Sequence, residues 1–246
     1  MPEGYAAVVA LAPIAFLGAL VYGITGFGAA LVAIPLATHF VPLRFALAVF
    51  VLLDLGNALR LGLEAPRNVV RGEVARLVPA LLAGTVLGVT LLVNLPRGDA
   101  MLALGAFVVA YALYALLARG PRRKLRQGWS YVAGLAGGVT STLFGAGGPP
   151  YAIYLSQRGL SKEAFRATLA LTSVASISSR LFAFALTGLM SHAMVWIAAA
   201  IALPAAWLGI SIASHLFVRI RRETLMRAVA LMLLASGGSL LARALA

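Results

Sequence analysis

The chain has no cysteine, which excludes disulfides, thiolate metal sites and cysteine nucleophiles. Histidine is nearly as scarce: His39, His192 and His215 are scattered without the spacing of metal ligands, so no metal site is expected. No helical His-Glu pair, nucleotide-binding loop or hydrolase elbow occurs. Neither a catalytic set nor a cofactor is therefore expected. The N-terminus, Met1-Pro2-Glu3-Gly4, carries no basic region, so a cleaved signal peptide is not expected either.

Charge is also sparse, at 11% of residues, against 62% hydrophobic residues and a mean hydropathy of +0.97. A soluble domain holds about 45–50% apolar and about 25% charged residues. The composition is that of an integral membrane protein. Its apolar runs are of helical length, whereas a barrel would show alternating segments of about 10 residues. The net charge of +13 is no nucleic-acid footprint, because the basic residues lie in short loops between apolar runs.

Ten hydrophobic segments follow: Tyr5–Gly23, Phe27–Val41, Phe45–Leu63, Val74–Leu95, Ala100–Ala118, Tyr131–Phe144, Pro149–Gln157, Ala164–Leu186, Ala193–Leu216 and Leu225–Leu245. A full crossing needs about 20 residues. The second and seventh are too short, and each is expected to pair with its predecessor as a broken or re-entrant hairpin. The expected fold is an all-α polytopic membrane protein of 8–10 segments.

The halves read as copies. At an offset of 119, Gly26, Gly28, Ala33, Ile34, Leu36 and Ala48 match Gly145, Gly147, Ala152, Ile153, Leu155 and Ala167. With small slips, Arg60-Leu61 matches Arg180-Leu181 and Leu87-Gly88 matches Leu208-Gly209. Residues 1–118 form one expected repeat, 119–130 a basic linker and 131–246 the other repeat. Arg119, Arg122, Arg123, Lys124 and Arg126 place the linker on the cytoplasmic side. Parity then puts the loops with Arg67 and Arg71, with Arg158, Lys162 and Arg166, and with Arg219, Arg221 and Arg222 on that side too. The charge-poor loops 41–44, 94–99, 145–148 and 188–192, and both termini, come out external. A basic loop in one half thus faces a sparse loop in the other, as in an inverted repeat with a substrate site near the midplane.

Two glycine-rich stretches interrupt the apolar pattern: Gly23-Ile24-Thr25-Gly26-Phe27-Gly28, and Thr140-Ser141-Thr142-Leu143-Phe144-Gly145-Ala146-Gly147-Gly148-Pro149-Pro150. Broken backbone at membrane depth persists only where protein buries it or it lines a cavity. The unpaired amides of a restarted helix attract anions. The amides of Gly26, Phe27, Gly28 and Ala29, and of Gly145, Ala146, Gly147 and Gly148, are therefore candidate binding groups, with close helix packing as the alternative use of the glycines. The hydroxyls of Thr25, Thr140 and Ser141 either bond an oxyanion or satisfy carbonyls freed by the break. Tyr151 follows the second break and either lines the site or belongs to an interfacial belt.

Asp54 is an acidic residue inside an apolar span, in a row with Asn57 and Arg60. Ser176 and Arg180 occupy an equivalent face of the copied helix. Charges inside membranes are costly and usually paired. Asp54 can carry a coupling proton, coordinate a cation or neutralise an arginine. Arg60 and Arg180 either serve the site or snorkel to the surface.

The run Gly23-x-x-Gly26-Phe27-Gly28…Pro35 with Val41-Pro42, and Phe144-Gly145-Ala146-Gly147-Gly148-Pro149 with Gly159-Leu160-Ser161-Lys162-Glu163-Ala164, resembles the sulfite exporter TauE/SafE family of bacterial and archaeal membrane proteins. The likeness spans nearly the whole chain. It implies a transporter of small, often sulfur-containing anions such as sulfite, sulfoacetate or related organosulfonates, in the cytoplasmic membrane. The first glycine run has Ala29-Ala30 where a further glycine is typical, so it is expected to contribute less to binding. The leading expectation is a secondary transporter working by alternating access, with an anion channel of the same architecture as the alternative. An intramembrane enzyme lacks its chemistry, and a scaffold leaves both polar breaks unexplained.

Overall fold

The computed structural model describes residues 5–62, 68–117, 125–216 and 222–245. Met1–Gly4, Arg67, Arg119, Arg122, Arg123, Lys124, Arg219 and Arg221 lie outside those ranges, so the basic linker is described only from Leu125 onward. The helices are α1 (Tyr5–Val9), α2 (Leu11–Thr25), α3 (Ala29–Ala37), α4 (Leu43–Gly62), α5 (Arg71–Asn94), α6 (Arg97–Leu117), α7 (Trp129–Phe144), α8 (Gly148–Ser156), α9 (Lys162–Leu186), α10 (Ala193–Leu216) and α11 (Arg222–Leu245). No strand occurs among the described residues. Each of the ten expected segments is helical, the first divided at Ala10.

Among the described residues, five helical stretches are long and apolar enough to cross a bilayer: Ala7–Thr25 through α1 and α2, α5, α6, α9 and Ala193–Ala213 of α10. Leu82, Val86, Phe182, Leu186, Trp207 and Leu208 remain exposed, as a lipid-facing surface requires. By contrast α4, with Arg44, Asp54 and Arg60, is the central helix: Ala46 through Val51 are almost inaccessible. A stretch apolar all round, as residues 46–51 are, belongs in an interior.

The remaining long helices pair across the chain. α2 packs on α10, α5 on α7 and α6 on α11, while α4 lies against α9. Lipid gives helices no hydrophobic reason to associate, so such contacts depend on small residues that let backbones approach. A methyl at Gly84 would strike the carbonyl of Leu135, and one at Gly138 the carbonyl of Leu81. Gly209 meets the carbonyl of Phe16 in the α2–α10 pair, and Gly105 abuts Gly237 between α6 and α11.

Two short helices complete the fold, and both arise from breaks. α2 stops where Gly26 turns left-handed at φ 81° and bonds back to Tyr22 O, and α3 starts after Gly28 at φ 89°. α7 stops at Gly145, φ 71°, whose amide bonds Ser141 O while that of Ala146 bonds Thr140 O. This double bond-back satisfies carbonyls that the break would orphan. Gly148 then begins α8, with Pro149 and Pro150 in its first turn.

α5 acts as a ruler for the hairpins. Its 24 residues rise about 36 Å. Near its start, Glu73 holds Tyr154 and Arg158 at the end of α8, and Val70 N–H bonds Thr168 Oγ1. Near its finish, Arg44 Nη2 donates to Val93 O at 2.9 Å, just beyond the end of α3. The two short helices therefore end at opposite faces of the molecule and begin in the middle. Each supplies about 13 Å of nine residues.

One expectation needs correcting. Residues 145–148 are not an external loop: Ala146 is 1% exposed and the turn lies inside the bundle. Counting spans by parity treated α7 and α8 as two crossings, whereas together they form a hairpin that returns to its own end. Leu125 N–H, ahead of α7, bonds Gln157 O, beyond α8.

Candidate anion site at the hairpin tips

The tips of the two hairpins touch. A methyl on Gly148 would lie 2.7 Å from Phe27 Cβ, and one on Gly145 would lie 2.7 Å from Ala30 Cβ. Between them is a cavity of about 30 Å³, measured by the centres of water-sized spheres. Water needs about 10–15 Å³ on that measure, so the space suits water or a compact ion. Of the residues that the sequence singles out, Phe27, Gly28, Ser141, Gly145, Gly147, Gly148, Tyr151, Ser176 and Asp54 are brought together in its lining. Tyr151 O–H donates to Ser176 Oγ at 3.1 Å, which fixes the ring against α9.

Behind the cavity stands a buried ion pair. Arg180, 1% exposed, donates from Nη2 to Asp54 Oδ2 at 2.8 Å and from Nη1 to Ser141 O at 2.9 Å. The first bond joins α9 to α4, and the second caps the broken end of α7. Asp54 lines the cavity and Arg180 does not, so the carboxylate covers the cation from the cavity side. Arg180 Nε, Asn57 Oδ1 and Tyr22 Oη are buried without a hydrogen-bond partner. Unpaired polar atoms in a protein interior are uncommon and mark strain or a site.

Other expected residues lie elsewhere. Arg60 is exposed and donates to Ser211 Oγ at 3.4 Å, away from the cavity. Thr140 donates to Ala136 O within its own helix at 2.9 Å. Thr25 donates to Val21 O and Phe27 O, and so serves the break itself. Gly26 makes the turn and Asn57 is buried one turn from Asp54, but neither lines the cavity.

The cavity also holds residues that the sequence did not single out as its lining. Tyr22 sits one turn before Gly26, and Ser173 and Ile177 lie on the face of α9 that carries Ser176. Ala29 and Ala30 line it too, so the alanines that replace a glycine keep the first stretch in the site. The first amides of α3 have no acceptor within their helix. In α8 the prolines remove two such donors and leave Gly148.

The far end of α8 is held by a second buried group. Glu73, 4% exposed, accepts from Tyr154 O–H at 2.7 Å and Arg158 Nε at 2.9 Å, with Arg76 at 3.5 Å. Arg158 Nη1 also donates to Leu125 O at 2.7 Å. Glu73→Gln keeps an acceptor for Tyr154 but discharges the contact with Arg158. We expect a loss of about 1.5–3 kcal/mol, the range for hydrogen bonds to charged groups. Thermal unfolding in detergent checks this, and an unchanged midpoint would show that the cluster is not holding α8.

The family model described as Sulfite exporter TauE/SafE matches residues 11–240. The chain belongs to this family. A TauE/SafE membership over that span includes both breaks and the Asp54–Arg180 pair, and makes the chain a multi-pass membrane transporter. Among curated proteins it is 25% identical, over 196 residues, to the "Probable inner membrane transporter protein TsaS" of Comamonas testosteroni. That alignment covers 75% of this chain and 82% of that protein. No solved structure matches the chain.

Proposed function

We propose that this TauE/SafE protein carries a small sulfur oxyanion or organosulfonate, of the sulfite or sulfoacetate class, by alternating access, with export as the physiological direction. The single observation that supports this reading is the meeting of two helix breaks around a cavity backed by a buried arginine. Amides at the start of α3 and the hydroxyls of Tyr22, Ser141 and Ser176, the last accepting from Tyr151, supply hydrogen bonds suited to an oxyanion. Arg180 supplies the charge once Asp54 yields it. Asp54, left in the bundle without its cation, then takes up a proton, since an unpaired buried charge is costly. Anion and proton would move as a coupled pair.

The packing pattern supports two inverted repeats, residues 1–118 and 131–246. Exchanging the halves turns the α2–α10 pair into α7–α5 and leaves α6–α11 and α4–α9 in place. The end that gathers Arg71, Arg126, Arg158 and Lys162 is assigned to the cytoplasm by the bias of basic residues. A negative-inside membrane potential would then favour export of a dianion, which keeps one net negative charge when a single proton travels with it.

Purified protein challenged with sulfite, sulfate, thiosulfate, sulfoacetate, taurine and carboxylates tests the assignment. A ligand at 100 times its Kd stabilises the folded state by about 2.7 kcal/mol. A rise in melting temperature with sulfur anions but not with carboxylates is expected, and no rise with any of them would remove the proposal. Gly147→Val places carbon against Ser141 Cβ and Gly137 O. It should abolish saturable uptake while the protein still reaches the membrane, and normal uptake would return this glycine to a packing role. Counterflow in proteoliposomes marks a carrier, and unitary currents would mark a channel instead.

A further inference from the structure

A much larger cavity, about 640 Å³, lies at the end of the molecule away from Glu73, between the start of α4, the junction of α5 and α6, and the end of α3. It is within the size range of pockets that take organic ligands, about 300–1,000 Å³. Its walls divide by chemistry. Phe40, Leu92 and Met101 are among an apolar majority, whereas Arg44 and Arg97 supply cationic groups at its edge.

The local charge is one-sided. α4 and α6 both begin here, directly after Pro42 and Pro96, so two positive helix ends converge on the cavity. Neither Arg44 nor Arg97 has a carboxylate within 4 Å among the described residues. Arg44 spends one Nη2 on Val93 O and, at 3.5 Å, Leu95 O, which leaves further donors. Asp99 in the first turn of α6 is the acid of this region and does not line the cavity. His39 is tied through its ring to Pro35 O and Ser239 Oγ.

Depth identifies the occupant. The cavity lies at the finish of α5, and that helix, about 36 Å long, exceeds a hydrocarbon core of about 30 Å. The arginines therefore sit at headgroup level, while exposed Phe40 and Val93 flank the cavity on the lipid side. A free anion would use the cationic edge and leave the apolar wall wet. We propose that this cavity binds one anionic phospholipid, its phosphate between Arg44 and Arg97 and the top of one acyl chain against Phe40 and Met101.

The test is native mass spectrometry of the full chain in detergent with added dioleoylphosphatidylglycerol or dioleoylphosphatidylcholine. One phosphatidylglycerol should be retained in preference to phosphatidylcholine. An arginine at an anionic surface contributes about fivefold, from roughly 1 kcal/mol each, so Arg44→Gln with Arg97→Gln should weaken retention about 25-fold. Met101→Trp, which fills the cavity and spares both arginines, should also lose the lipid and covers the case where the double variant folds poorly. Equal retention of the two lipids, retention unchanged in either variant, or equal thermal stabilisation by glycerol phosphate would overturn the proposal. Stabilisation by sulfur anions at the hairpin tips is a separate readout and should survive in Met101→Trp.

Discussion

Asp54→Asn should be strongly destabilised without ligand and rescued by the transported anion. The substitution leaves Arg180 charged, 1% exposed and without its counter-ion. Breaking a buried pair from one side costs about 3–5 kcal/mol, a large share of a typical stability. An anion that takes the place of Asp54 restores the balance, so sulfite should raise the melting temperature of this variant more than that of the parent. The same variant should transport without pH dependence, because the group proposed to take the proton is gone. Arg180→Gln makes the complementary case: it should lose anion binding, and no anion should rescue it. If anions stabilise Asp54→Asn no more than the parent, Arg180 is a structural cap for α7 and the coupling scheme fails.

Gly138→Val should prevent stable folding, whereas Gly98→Ala should be tolerated. At Gly138 an added methyl strikes the carbonyl of Leu81 and crowds the amide of Thr85, at 2.8 Å. Both obstacles are backbone, so no rotamer change relieves them. Overpacking costs about 1–3 kcal/mol where side chains can adjust, and more is expected here. Gly98 has nothing within 4 Å of the same position, and alanine there gains up to about 1 kcal/mol of helix propensity. Fluorescence-detected size exclusion and thermal melts of both variants provide the comparison. A well-folded Gly138→Val would mean that α5 and α7 are further apart than described.

The breaks were legible in the sequence because their cause is local. Gly26, Gly28 and Gly145 are needed for left-handed turns, and Pro149 and Pro150 sit where a restarted helix accepts them. Asp54 stood out for a similar reason, as a charge amid apolar residues. The choice between its two possible arginines was not legible. Arg60-Leu61 and Arg180-Leu181 read alike, yet Arg60 is two residues from the end of α4 and reaches the surface, whereas Arg180 is six residues from the end of α9. Depth along a helix decided the matter, and helix ends are what sequence locates least well.

Two further features left little trace in the sequence. Tyr22 and Ala30 line the cavity on either side of the first break, and neither is a glycine, proline or charged residue that would mark it. Glu73 meets partners 81 and 85 residues away, so no local pattern announces the cluster. The external placement of residues 145–148 failed because alternating sides is a rule for full crossings, and a nine-residue helix makes none.

The fastening of the two short helices differs, and this gives the molecule a preferred direction of breathing. At the arginine-rich end, α8 is latched by a carboxylate shared among tyrosine and guanidinium groups. At the opposite end, the ties just beyond α3 are single bonds, His39 to Ser239 Oγ and Arg44 to the carbonyl of Val93, with no buried carboxylate gathering them among the described residues. Under the alternating-access proposal, thermal fluctuations part the bundle more often on the α3 side, and the resting protein offers its central chamber mainly to the compartment facing that side.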